Sequence, residues 1–485
     1  MDQSNINKSP YLNFLGSASL LFYLLIWFFN PINKVALLLS IILLIILTVR
    51  LKNLTHASFF TYLLTSILPM GKKYLVILHT LQEFPDLKIL YPQGLTLEIS
   101  ITIADVIFAF FLLSLFVELA KNGFHIIKNI KLESIDLLIL SFFAYGIFAD
   151  LFSSSYPYLS LLLKKGVAEI VTIYLVLRFY YKQPAVIFHS IVIIFSVIVF
   201  FESFLAIQQF IISSPLGKNF EIYHSIEAFG SVADEVFFAF RPLGTFGHAN
   251  ALGLFLASVL PILFFFVIQK NSYPIIYISF FLSLIVLVLT LSRSALFAFF
   301  IAIGYLLFIF EHKLKINLIK LIPVRKAVFI ILLFFPLFIY LLPRVARTVY
   351  SSQASGGLTL RIKQITQSME LLESYPLTGV GTGMSVVSII ERNKKGVFTE
   401  FPSPIHNYYF LLAVENGLPS LTLMLIIIVI IIRNFISANT PLTFAFVSVV
   451  IVVILGGLFQ PFFDFSLLLY LSSFNFAKIS RYENT

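Results

Sequence analysis

Apolar runs of about twenty residues recur along this chain from one end to the other, and no other feature limits its fold as much. Each run is long enough, as a helix, to cross a ~30 Å hydrocarbon layer. Of 485 residues, 59% are hydrophobic and 12% charged, whereas a soluble domain carries about 25% charged residues. Lipid must therefore be the solvent for most of the surface. Spans are predicted at 11–30, 34–50, 57–70, 101–120, 135–152, 157–178, 185–212, 247–268, 273–291, 293–310, 326–343, 405–433, 441–457 and 461–478. The third is short enough to be re-entrant. The expected fold is an all-α polytopic membrane protein, a bundle of about 12–14 transmembrane helices forming a single integral membrane domain over residues 1–485.

The chain has no cysteine, which removes disulfides, thiolate nucleophiles, Cys-ligated zinc, iron–sulfur centres and S-acylation together. Lys8 precedes the apolar run from Tyr11 to Phe29, but no small-residue cleavage site follows, so a retained first helix is expected over a signal peptide. The net charge of +10 gathers at Lys121, Lys128 and Lys131, at Lys164, Lys165, Arg178 and Lys182, and most densely from Lys313 to Lys326. Short connections rich in Lys and Arg mark cytoplasmic loops. No basic module interleaved with aromatics points to nucleic acid.

With Lys313–Lys326 inside, span parity puts residues 344–404 outside as one large extracytoplasmic loop, together with 82–100 and 213–246. Long polar connections in a compact protein are often functional. Within the third, Ile362, Ile365, Met369 and Leu372 recur at helical spacing and predict an amphipathic helix at 361–374. Pro376, Gly379, Gly381 and Gly383 then break it.

Three places along the chain can carry chemistry. Arg241-Pro-Leu-Gly-Thr-Phe-Gly-His-Ala-Asn250 leads into an apolar helix. A guanidinium, Gly-rich backbone and a helix N-terminus together favour a diphosphate; the plain alternative is an interfacial arginine anchoring a span. Ser292-Arg293-Ser294 lies between long apolar runs. An arginine there is either paired or functional, or it snorkels from a hairpin turn. His406-Asn407 stands where the polar loop becomes helix, and a neutral imidazole there can take a proton from a hydroxyl. A hydrogen-bonded boundary histidine is the competing account. His125, His224, His248 and His312 are weaker candidates. The run Gly379-Val-Gly-Thr-Gly383 lacks dinucleotide-loop spacing and reads as a turn. There is no Walker lysine motif and no HExxH motif, and the acidic residues are scattered, so neither a nucleotide nor a metal site is expected.

Taken in order, these stretches resemble the O-antigen ligase and O-antigen polymerase superfamily of bacterial membrane glycosyltransferases. The resemblance rests on Arg241 to Asn250, Leu289-Thr-Leu-Ser-Arg293-Ser-Ala-Leu, Arg361 through Tyr375-Pro-Leu-Thr-Gly-Val-Gly-Thr-Gly383, and His406-Asn-Tyr-Tyr-Phe-Leu-Leu-Ala-Val-Glu-Asn-Gly417. It covers about residues 235–435 as an O-antigen ligase-like core. His248-Ala249 departs from it, since relatives often carry Asn-Pro there. The resemblance implies a GT-C-like bundle in the inner membrane, with its active site on the extracytoplasmic face. It implies transfer of a glycan from a polyprenyl-diphosphate carrier to an acceptor hydroxyl on lipid, glycan or protein, with inversion and without metal or other cofactor. His406 would activate the acceptor, and Arg241 and Arg293 would grip the diphosphate. Arg361, Asn250 and Asn407 would support substrate binding. A polymerase extending the carrier-linked glycan uses the same residues. A flippase or other transporter for lipid-linked oligosaccharide, or a structural assembly factor, remains open from the sequence.

Overall fold

The computed structural model describes residues 10–68, 70–77, 96–122, 130–153, 157–181, 184–219, 221, 240–268, 273–312, 352–392, 398, 403–461 and 470–474. The elements run α1 (Pro10–Phe29), α2 (Asn33–Leu51), α3 (Leu54–Thr65), β1 (Gly71–Ile77), β2 (Thr96–Thr102), α4 (Ile103–Lys121), α5 (Ser134–Ser153), α6 (Pro157–Leu163) and α7 (Lys165–Leu175). A five-residue π-helical turn at Val176–Tyr180 follows. The chain continues through α8 (Pro184–Ile212), α9 (Ala249–Ile268), α10 (Pro274–Leu289), α11 (Arg293–His312), α12 (Ser352–Ser374), α13 (Ser385–Arg392), α14 (Tyr408–Ala438) and α15 (Pro441–Phe459).

Among the described residues, nine helices are long and apolar enough to cross a membrane: α1, α2, α4, α5, α8, α9, α11, α14 and α15. The shorter apolar α10 adds to them. This is a helical multi-pass membrane protein. Helices α8, α9 and α15 are the inner ones, with 67–72% of their spanning windows buried against 28–44% in the others. The helix boundaries follow from local chemistry. Thr102 and Asp105 form a capping box that starts α4, and Thr440 with Thr443 does the same for α15, with Pro441 pre-set at its first position. Asn53 caps α3 by accepting from the His56 N–H.

The all-α bundle carries one added two-stranded hairpin, in which β1 and β2 pair antiparallel from Gly71↔Thr102 to Ile77↔Thr96; the β-branched residues of Thr96–Thr102 favour that pairing. Two expectations change. The short span near 57–70 is the twelve-residue α3, about 18 Å long and too short to cross. The single span at 157–178 is broken into α6, α7 and the π-helical turn. Lys164 stands at the first break, and its ammonium pairs with the buried Asp150 carboxylate at 2.8 Å. The helix expected at 361–374 lies within α12; Ile365 and Leu372 of its apolar stripe pack against the core, Gln364, Ser368 and Leu371 are buried, and Ile362 and Met369 are exposed. The segment 326–343, the basic run 313–326, and most of 461–478 lie outside the described residues.

Candidate active site

The starts of α9, α11 and α14 and the ends of α10 and α15 meet at one end of the bundle. Asn407 Nδ2 donates to the Leu458 carbonyl (3.3 Å) and the Tyr409 hydroxyl to that of Ile454 (3.0 Å), tying α14 to α15. Gln460 Nε2 donates to Ser294 Oγ (3.2 Å), tying the end of α15 to the start of α11.

Helix α8 is 29 residues long, roughly 43 Å, and its C-terminal half holds the segment that carries Arg241. Glu202 and Gln209 stand two turns apart on one face of it, both buried. The Glu202 carboxylate accepts from the Thr245 N–H (2.9 Å) and hydroxyl (2.7 Å). The Gln209 carbonyl oxygen accepts from the N–H groups of Leu243 (3.0 Å) and Gly244 (2.9 Å), and its amide donates to the Gly244 carbonyl (3.1 Å). Gly244 has φ +58°, and a Cβ there would stand 2.2 Å from Glu202 Oε2. Only glycine fits this turn without strain. The backbone behind Arg241 is therefore fixed.

Arg241 reaches from that segment to the turn between α10 and α11. Its Nε donates to the Thr290 carbonyl (2.8 Å), and Nη2 donates to Asn250 Oδ1 (2.5 Å). Asn250 in turn donates its backbone N–H to His248 Nδ1 (3.0 Å), so His248 caps the start of α9. The turn is tight and buried, with Leu291 at φ +52° and Ser292 N–H donating to Thr290 Oγ1 (3.3 Å). Arg293 follows as the first residue of α11 and is exposed. Its charge adds to the positive end of the helix dipole. Arg241, Asn250 and Arg293 thus gather around one turn.

Arg361 on α12 and His406 just before α14 join the same group electrostatically. Burial lowers the Arg361 pKa, and so does the nearby charge of Arg293. Burial, then the Arg361 charge, pushes His406 down to about 4, against a smaller opposing pull from the Pro404 carbonyl. His406 is neutral at ordinary pH, as a proton acceptor must be. Its Nδ1 lies 3.2 Å from Gln364 Oε1. Asn407 is the N-cap of α14, with its side chain accepting from the Phe410 N–H (3.0 Å). His312 lies at the other terminus of α11, and His125 and His224 are outside the described residues.

The glycine run at 379–383 packs against the α14 kink that follows His406 and Asn407. The N–H groups of Val380 and Gly381 donate to the carbonyls of Val414 (2.9 Å) and Glu415 (2.8 Å), where α14 kinks at Gly417 (φ 80°, ψ 166°). The two segments interlock. A Cβ on Gly379 would meet the Glu415 carbonyl carbon at 2.4 Å, and one on Gly417 would meet the Leu377 oxygen at 1.6 Å. Buried Asp150 of α5 fastens both, accepting from the Thr382 N–H (2.9 Å) and from Asn416 Nδ2 (3.1 Å).

Sequence reasoning passed over Glu202, Gln209, Asp150, Gln364 and Gln460. Glu202 and Gln209, seven apart in one predicted span, and Asp150 in another are legible as ionisable or amide side chains inside the membrane, a pattern that marks function or support. Gln364 and Gln460 gave no local signal.

The family described as O-antigen ligase matches residues 278–425, a stretch that contains Arg293, Arg361 and His406 and begins after Arg241 and Asn250. No curated protein gives a significant match to the chain. The matched stretch runs from α10 into α14 across the turn, helix and loop just described, and over those residues the chain is similar to the O-antigen ligase family.

Proposed function

We propose that this protein transfers an oligo- or polysaccharide from a polyprenyl-diphosphate carrier to an acceptor hydroxyl, at the extracytoplasmic face of the inner membrane. Arg241, Arg293 and Arg361 hold the carrier diphosphate, whose two phosphoryl groups match guanidinium forks and a helix N-terminus. His406 accepts the proton of the acceptor hydroxyl as its oxygen attacks the anomeric carbon. The bond from that carbon to the diphosphate oxygen breaks, and its electron pair leaves with the carrier. Direct displacement inverts the anomeric centre, and the arginines stabilise the charge gathering on the leaving group. The lipid tail stays among the helices, which explains a chain with little polar mass.

The observation that carries this reading is that Arg361 lies within electrostatic reach of both Arg293 and His406. An anion cradle and a neutral imidazole share one site. The family match supports a ligase-like or a polymerase-like transfer alike; the reading taken is the ligase, in which the acceptor lies outside the carrier pathway. The test is glycan transfer by purified protein, with carrier-linked donor and chelator present. His406→Ala should bind donor normally and lose on the order of 10²–10⁴-fold in rate. Arg241→Ala with Arg293→Ala should lose donor affinity. Wild-type transfer in either variant would falsify the assignment.

A further inference from the structure

Residue Gln364 is buried at 0% exposure on the inward face of α12, and nothing in the proposed reaction yet uses it. Its amide faces two ways. Nε2 donates to Ser403 Oγ (3.0 Å) and lies 3.4 Å from the Ser403 carbonyl oxygen. That carbonyl can only accept, so the amide nitrogen must occupy this side. Oε1 is then turned to His406, 3.2 Å from Nδ1. An amide oxygen has no proton to give, so Nδ1 carries the hydrogen. A neutral ring has one N–H, which leaves the lone pair on Nε2.

We propose that Gln364 is a positioning residue that fixes His406 as the Nδ1–H tautomer, so that Nε2 is the nitrogen that takes the acceptor's proton. This rests on the proposed role of His406 as base. A base whose proton sits on the wrong nitrogen cannot act, and the partner that selects the tautomer controls rate without touching substrate. The contact also has a geometric consequence. Gln364 lies one turn beyond Arg361 on α12, so the same helix places a diphosphate-binding cation and orients the base.

The experiment uses full-length protein with ¹⁵N-labelled histidine. The chain has 8 histidines, and the His406 signals are those missing in His406→Ala. Above pH 6.5, wild type should show a protonated Nδ1 and an unprotonated Nε2 at this ring. Gln364→Met, of similar length but without an acceptor, should shift the ring toward Nε2–H. It should lower kcat by on the order of 10²-fold, at the low end of general-base effects, with donor KM unchanged. Gln364→Glu keeps an acceptor at Nδ1 and should recover most of kcat. Arg361, with Arg293 beside it, also faces this cluster and depresses the ring's pKa; the new carboxylate opposes Arg361, so the acid limb of the rate should move to higher pH. A role in packing alone predicts that Glu and Met are equally damaging. Protonated Nε2 in wild type, or equal kcat for the two variants, overturns the proposal. Active His406→Ala with the Nδ1–H tautomer intact would instead overturn the catalytic reading and leave the tautomer assignment standing.

Discussion

Two separable causes hold His406 neutral, burial first and the Arg361 charge second. With the free ring near 6.5 and the buried one at about 4, the unfolded state binds a proton between those values and the folded state does not. This group's contribution to stability is therefore present above pH 6.5 and lost as pH falls toward 4. The same sign governs activity. The acid limb of kcat/KM should lie well below 6.5, and Arg361→Ala should move it up by removing one depressing charge. A bound diphosphate offsets Arg361 as well, so the acid limb of kcat should lie above that of kcat/KM. Coincident limbs near 6.5 in wild type would show that His406 is not buried beside a cation during turnover.

At the scale of elements, α14 is held by its kink rather than by its length. Gly417→Ala places a side chain at φ 80° and onto the Leu377 carbonyl. The strain alone costs roughly 1–3 kcal/mol, so a lowered melting temperature and lost transfer are expected together. Asp150→Asn is a sharper probe, because it strands the mostly buried Lys164 ammonium. Breaking a buried pair on one side costs about 3–5 kcal/mol, and replacing both partners costs far less. Asp150→Asn with Lys164→Met should therefore melt above Asp150→Asn alone. Equal melting temperatures would mean that the pair does not hold the kink.

For the whole molecule, hydropathy made the membrane class and most spans legible, and four motifs in order carried the resemblance to the O-antigen ligase family, whose model matches residues 278–425. What hydropathy could not reveal was contact across long stretches of chain. Asp150 is 232 residues from Thr382 and 266 from Asn416, and no local feature of the sequence pairs it with either. Helix α12 shows the limit clearly. Apolar spacing located the helix, and Ile365 and Leu372 of its stripe pack inward, but Ile362 and Met369 are exposed while Gln364 and Ser368 are fully buried. A helix that turns a polar face to a site violates the pattern used to orient it. The sidedness of the bundle is testable without background, since the chain has no cysteine. A cysteine at exposed Thr366 should react with impermeant maleimide from outside intact cells; reaction only after the inner face is opened would invert the topology.

The crowding of Arg241, Arg293 and Arg361 at one end of the bundle bears on turnover. On the proposed reaction, cleavage at the anomeric carbon turns the carrier from a diphosphate diester into a terminal diphosphate, which gains a negative charge. Three guanidiniums holding the diphosphate would then bind that product more tightly than the donor, so the first glycan is transferred quickly and later ones wait for the spent carrier to leave. Rapid mixing should show a burst of about one product per protein. Added polyprenyl diphosphate should inhibit below the donor's own KM, and a phosphatase that consumes the spent carrier should raise the steady rate.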